Sequence, residues 1–250
     1  DSFGLYIGYL TADETAAPEE IRQMAMEIRT LRAAGADGFV MGCLTPDGNL
    51  DPNAMKPLLE AAEGAGLTLH RCIDVSRDLC QTYRDAAALG IDTVLTSGGA
   101  GNCLAGLETI RQLIALREET GGPEVLIGAG VKATVISAFL EKVPGARAFH
   151  MSGKTEIESG MRFRREGVPM GLPGLDEWHI PVTSQEAVAA ARASININAI
   201  SLCDITPPIY FPSNLPEAPQ GSTSPVAETG SPISFDVVVP SNSFRAVLII

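Results

Sequence analysis

Apolar residues recur along this chain in two alternating patterns, one helical and one strand-like. Positions 21, 24, 28 and 31 are apolar at helical spacing, which predicts an amphipathic helix over 19–34. The same reasoning predicts helices at 51–63, 77–89, 102–119 and 132–142. A short apolar run follows each of the first five helical patterns, which predicts strands at 37–43, 67–73, 92–97, 125–127 and 147–151.

The spacing of glycines supports a repeated strand-plus-helix unit. Glycines at 35, 66, 90, 121 and 145 mark the junctions, so that successive units measure 31, 24, 31 and 24 residues. Strands joined by helical crossovers pair in parallel and with right-handed connections. The predicted fold class is therefore α/β, a partial TIM-type (β/α) barrel of about five parallel strands with flanking helices. Residues 1–10 add at most a short irregular piece.

The C-terminal part of the chain has a different composition. We predict a barrel domain over 1–191 and a largely disordered tail rich in proline and serine over 192–250, because residues 206–232 contain seven prolines. Two strand-like segments, at 235–239 and 244–250, end the tail. They either cover the open edge of the sheet or form a mobile, aggregation-prone end, and the second reading is favoured.

Composition excludes several classes of function. The net charge is −12 and no basic stripe is present, which argues against nucleic-acid binding. No apolar run reaches the length of a membrane span, and no export signal is evident. The five cysteines form no CxxC pair, which favours reduced thiols and a cytoplasmic location. An open sheet edge would favour homo-oligomers.

Polar side chains at strand ends are the candidate functional residues, because barrels place their chemistry there. Alternation along the strand 67–73 predicts that His70, Cys72 and Asp74 share one face. His150 and Ser152 share a face at the end of the last predicted strand. The alternative for each histidine is an ordinary hydrogen-bonded interior residue.

An anion site is one interpretation of these strand ends. Arg71 and Asp74 predict either an anion anchor beside a general base or an ion pair that fixes a loop. The glycine loops after two strands let backbone approach a ligand, unless they are simple flexible turns. The candidate ligand-binding residues are Arg71, Ser97, Gly98, Gly128, Gly130, Ser152 and Lys154.

Soft donor atoms suggest a second kind of site. Met41 and Cys43 share a face of one predicted strand, and His70 and Cys72 share a face of the next. Thioether, thiolate and imidazole together suit Cu(I). The alternative is that the cysteines and methionine only fill the core.

Five segments together resemble the CutC-type copper homeostasis protein family: 38–48, 69–74, 94–99, 127–131 and 149–154. Residues 160–191 resemble the tail of eukaryotic, particularly fungal, members, so that the resemblance covers about 1–191. It implies a TIM-type barrel and a role in copper homeostasis. The chain resembles the family only from just before its fourth strand, and Cys72-Ile73 stands where the family usually has Ala-Phe.

The resemblance and the soft donors together favour a cytosolic copper binding and trafficking protein. The alternative is a TIM-barrel enzyme acting on a small phosphorylated or acidic metabolite, in which His70, Asp74 and His150 would handle protons. A third alternative is that the chain, without the family's first strands, is a non-functional product.

Overall fold

In this computed structural model, residues 4–6, 15–165, 167–168, 176–200 and 246–249 are described. Five strands follow one another along a parallel sheet with a helix between each pair: β2 (Gly38–Met41), β3 (Gly66–Leu69), β4 (Thr93–Thr96), β5 (Glu124–Ile127) and β6 (Ala148–Met151). The predicted fold class, a partial TIM-type barrel, is confirmed.

Two further strands extend this sheet at its edges. Strand β1 (Gly4–Tyr6) pairs in parallel with β2, and β9 (Ala246–Ile249) pairs in parallel with β6, with Ala148 opposite Ala246. Part of the second strand-like tail segment thus covers the edge of β6. The first such segment, 235–239, lies outside the described residues.

Helices connect the strands on one side of the sheet: α1 (Pro18–Ala33), α2 (Pro52–Ala62), α3 (Leu79–Ala88), α4 (Leu107–Thr120) and α5 (Ala133–Lys142). Local chemistry fixes where they begin. The Asp51 carboxylate accepts hydrogen bonds from the Asn53 and Ala54 amides at the start of α2, and Asp78 accepts one from the Gln81 amide at the start of α3. Among the described helices, none combines the length and apolar character that crossing a membrane requires.

An exposed hairpin and a last helix follow the sheet. Strand β7 (Lys154–Glu158) pairs antiparallel with β8 (His179–Thr183), and α6 (Gln185–Ile200) packs on α5. Helix α6 runs across residue 191, where the sequence predicts the tail to begin, whereas residues 201–245 lie outside the described part of the chain.

Buried side chains form two clusters, one on each face of the sheet. The larger cluster fills the space between strands and helices, and it includes the edge-to-face pair of Phe139 and Phe149, with ring centroids 6.2 Å apart. The smaller cluster contains Leu95, Leu126 and Ala148, from the opposite face of three adjacent strands. Burial of one large apolar side chain contributes about 1.5–3 kcal/mol, so the helix-side cluster dominates stability.

Candidate functional site

The site begins where β3 ends, four residues earlier than the sequence pattern predicts. His70 closes the strand because its Nδ1 accepts a hydrogen bond from the Cys72 amide at 3.1 Å. Residues Arg71–Val75 then form a 3₁₀ turn. The prediction that strand alternation places His70, Cys72 and Asp74 on one face is therefore wrong, since period two does not apply inside a turn.

Asp74 lies inside this turn and is bonded to the loop after β4. Its Oδ1 accepts from the Thr96 hydroxyl at 2.5 Å and from the Gly99 amide at 3.0 Å. Its Oδ2 accepts from the Ser97 amide at 2.9 Å, from the Ser97 hydroxyl at 2.8 Å and from Arg71 Nε at 2.7 Å. Asp74 thus joins the β3 turn to the β4 loop.

These bonds determine the ionisation of Asp74. Burial favours the neutral acid, but the hydrogen bonds from Thr96, Arg71, Gly99 and Ser97 outweigh it and hold the pKa of Asp74 below its usual value. An ionised carboxylate with both oxygens occupied is a weak proton acceptor. The geometry therefore favours the loop-fixing alternative for Asp74 over a general base.

The Arg71 guanidinium is held by two bonds and remains partly open to solvent. Nε donates to Asp74, and Nη2 donates to the Ser97 hydroxyl at 2.8 Å. The side chain is 44% exposed. Within the described chain its other N–H groups donate to no acceptor, so they are available to an anion.

Glycines allow the loops beyond β4 and β5 to approach closely. Gly98 has φ +76°, and a Cβ there would fall on the carbonyl oxygen of Gly106. The Cys103 amide donates to the Ala129 carbonyl at 3.0 Å, which holds the two loops together. At Gly128 a Cβ would lie 2.7 Å from Leu95 Cδ1 and 3.7 Å from His150 Cδ2, so glycine lets Leu95 pack against the backbone beside that ring.

His150 stands on the same face of β6 as Ala148, just beyond the smaller cluster. Its Nδ1 is buried without a hydrogen-bond partner among the described residues. Burial, and then the positive charge of Arg71, lower the pKa of His150 to about 4. The ring is therefore neutral at pH 7 and lies within electrostatic reach of Arg71.

Three of the four predicted soft donors, Met41, Cys43 and Cys72, belong to the helix-side core. His70 and Cys72 meet at Gly42, where a Cβ would lie 3.0 Å from His70 Cε1 and 2.5 Å from Cys72 Sγ. Burial lowers the pKa of His70 to about 4. In the part of the chain that the structure describes, no group of three or more His, Cys, Asp or Glu side chains is arranged to hold a metal ion.

The other two predicted residues follow β6. Ser152 is half-buried, directly after the strand, whereas Lys154 is exposed and opens β7 opposite Thr183. No hydrogen bond or ion pair joins Lys154 to Arg71 or His150 within the described residues. The structure thus gathers Arg71, Ser97, Gly128 and His150, and it does not show Lys154 joining them.

Sequence reasoning missed Thr96 and Gly42. Thr96 gives Asp74 its shortest hydrogen bond, and its position directly before Ser97 at a strand end was the available signal. Gly42 provides the space in which His70 and Cys72 meet, and a glycine between Met41 and Cys43 on a strand end was the corresponding signal.

Comparison with known proteins gives one family. The model of the CutC family matches residues 13–155. The family protein CutC of Bacteroides fragilis strain YCH46 is 38% identical over 181 residues, which is 72% of this chain and 70% of that protein. The family protein CutC of Vibrio cholerae strain O395 is 36% identical over 172 residues, which is 68% of this chain and 66% of that protein.

A crystal structure supports the fold. It is that of CutC from Streptococcus agalactiae, described as a copper homeostasis protein, with a TM-score of 0.50 and 24% identity. The similarity covers 54% of this chain and 65% of that one. The chain thus spans just under two thirds of the length of this structure.

Proposed function

Because this chain belongs to the CutC family, we propose that it serves copper homeostasis in the cytoplasm by binding Cu(I) as a cargo. Copper enters here as what the protein carries, not as a resident cofactor. Two facts support a reducing compartment and a thiol chemistry: the cysteines at 43, 72, 80 and 103 form no disulfide, and soft thiolates select monovalent copper.

The observation that carries the proposal is the meeting of His70 and Cys72 at Gly42. The Cys72 side chain is fully buried and the His70 side chain is 6% exposed. The Cys72 thiol is a soft donor shielded from water, and the His70 ring beside it adds a second donor once its Nδ1 releases the hydrogen bond from the Cys72 amide. His70 stays neutral down to about pH 4, and a neutral ring is the form that binds metal.

This pair also limits what the site can hold. Among the residues that the structure describes, no third His, Cys, Asp or Glu is arranged beside this pair, which therefore does not match the four-ligand closure of a structural zinc site. Nδ1 of His70 accepts from the Cys72 amide, so Cys72 is the first donor to copper and the ring joins it only when this hydrogen bond opens. Weak, incomplete ligation suits a cargo that must be passed on.

Titration of the reduced protein with Cu(I) against a competing chelator tests this proposal. We expect the Cys72→Ala variant, and the Cys43→Ala/Cys72→Ala double variant, to lose affinity tenfold or more. Cys80→Ala is the matched control, because Cys80 lies on α3 and is half-buried. Melting curves show which variants remain folded.

A second variant tests whether copper binds at Gly42, without removing any thiol. Gly42→Ala keeps every donor but puts a methyl group 2.5 Å from Cys72 Sγ, so Cu(I) affinity should fall here too. Unchanged affinity in the Cys43→Ala/Cys72→Ala double variant would remove these thiols from copper binding and leave only the family membership.

A further inference from the structure

We propose that Arg71, Gly128 and His150 form a binding site for a small oxyanion, a carboxylate or a phosphate group, separate from the thiols. Three strand ends at one edge of the sheet contribute to it, with β4 between the first two: β3 through Arg71, β5 through Gly128 and β6 through His150. The proposal goes beyond copper binding and does not depend on it.

Arg71 supplies the positive charge in a fixed position. An arginine side chain presents five N–H groups in one plane. Here Nε is bound to Asp74 and one Nη2 hydrogen to Ser97, which leaves both Nη1 hydrogens and the second Nη2 hydrogen on the outer edge. That edge matches two oxygens of a carboxylate or phosphate. Because the guanidinium is already oriented, a ligand would not have to order it.

Asp74 does not fully neutralise this charge. Its carboxylate also accepts hydrogen bonds from Thr96, Ser97 and Gly99, so its negative charge is shared among the donors of the β4 loop. The carboxylate is 5% exposed, whereas the Arg71 side chain is 44% exposed. A ligand approaching from solvent therefore meets the cation and not the anion.

His150 supplies the polar group opposite. Its ring makes no hydrogen bond to the described chain, and its Nδ1 is buried without a partner. A buried polar atom without a partner destabilises the protein, and a ligand that bonds to it would relieve this cost. No protein partner fixes the tautomer either, so the Nε2 next to Cδ2 can donate or accept. The Cδ2 edge lies beside Gly128, where a Cβ would be 3.7 Å from Cδ2 and 2.7 Å from Leu95 Cδ1.

The loop beyond Gly128 adds backbone donors. Ala129 and Gly130 have φ of +69° and +77°, a left-handed conformation that is strained for the alanine. Their amide N–H groups donate to no acceptor among the described residues, since Ala129 is bonded only through its carbonyl, to the Cys103 amide. Backbone strain of this kind persists where the surrounding structure holds it, often at ligand sites.

The test is a titration of the full chain with inorganic phosphate and, separately, with acetate, followed by NMR of the protein. We expect saturable shifts at the residues of the site with at least one of the two. Saturation by phosphate alone would assign a phosphate group, and saturation by acetate alone would assign a carboxylate. Saturation by neither would overturn the proposal.

Variants separate this site from general surface charge. His150→Gln and Arg71→Gln should weaken anion binding tenfold or more. Arg77→Gln is the matched control, because its side chain is 66% exposed and lies just after the same turn. Gly128→Ala keeps the cation but would push Leu95, whose Cδ1 lies 2.7 Å from the new Cβ, out of its place beside His150, so it should weaken binding even if Arg71→Gln fails to fold. Equal weakening in Arg77→Gln would also overturn the proposal.

Cu(I) affinity provides the independent readout. It should be unchanged in His150→Gln, since that ring lies on β6, away from Gly42. Loss of anion binding with copper binding retained supports two sites. Loss of both in this folded variant would mean that one site serves both ligands, against the proposal.

Discussion

Asp74 offers the sharpest test of how the strand ends are held together. We expect the Asp74→Asn substitution to destabilise the protein strongly although it changes one atom. In the wild type, Oδ1 and Oδ2 accept bonds from Thr96, Ser97, Gly99 and Arg71. Asparagine keeps one oxygen and places an NH₂ group where the other stood.

The size of the effect follows from the bonds at the lost oxygen. An NH₂ at Oδ2 would point its hydrogens at two other donors, the Ser97 amide and Arg71 Nε. A hydrogen bond to a charged group contributes about 1.5–3 kcal/mol to stability. The bond from Arg71 contributes at the low end of this range, because that side chain is 44% exposed and solvent screens its charge. We therefore expect the free energy of unfolding to fall by about 3 kcal/mol in Asp74→Asn.

Urea unfolding followed by circular dichroism measures this loss. Asp47→Asn is the matched control: its carboxylate is 83% exposed and lies 3.9 Å from Arg77, so its removal should cost less than about 0.5 kcal/mol. If Asp74→Asn and Asp47→Asn unfolded at the same urea concentration, the bonds of Asp74 would not be what joins the β3 turn to the β4 loop.

Three further predictions concern pH and the backbone. The pKa values of His70 and His150 are both lowered to about 4, which means that the unfolded chain binds more protons below about pH 6.5, so each histidine should lower stability by about 2 kcal/mol between pH 7 and pH 5; His70→Asn should remove about half of this slope in urea titrations, and an unchanged slope would contradict it. Gly98→Ala should cost about 3 kcal/mol or more, because its Cβ would fall on the Gly106 carbonyl, while Gly101→Ala, with open space around it, should be nearly neutral in thermal melts; equal melting temperatures would refute the close approach. Glu63→Gly should stabilise by up to about 1 kcal/mol, since Glu63 ends α2 at φ +51°; a lower melting temperature would show that its side chain contributes more than the strain costs.

The order of strands and helices was predictable from sequence because the spacing of apolar residues determines it. The predicted strands 92–97 and 125–127 correspond to Thr93–Thr96 and Glu124–Ile127. Apolar strands that alternate with helices form a parallel sheet, because that arrangement buries both faces of each strand. The convergence of Arg71 and His150 followed from the same rule, since parallel strands end at one edge.

The partners of individual polar residues were not predictable in the same way. Thr96 bonds to Asp74 across 22 residues, a contact that depends on the path of two loops. The sequence grouped Met41 with His70 as soft donors, but the register places Met41 opposite Leu69, on the face that packs against helices. Local patterns carry no information about such register.

Strand alternation ends at His70, and the proposed copper donor Cys72 and anion-binding Arg71 lie in the turn that follows. Had β3 continued as a strand, alternation would have turned Arg71 toward the helices, where an unpaired cation is costly. The His70 ring instead accepts from the Cys72 amide and ends the strand in a 3₁₀ turn. This turn buries Cys72 completely and leaves the adjacent Arg71 exposed to solvent. One local hydrogen bond thus separates a soft thiol from a hard cation that are neighbours in sequence, which is what a copper donor and an anion site on the same chain require.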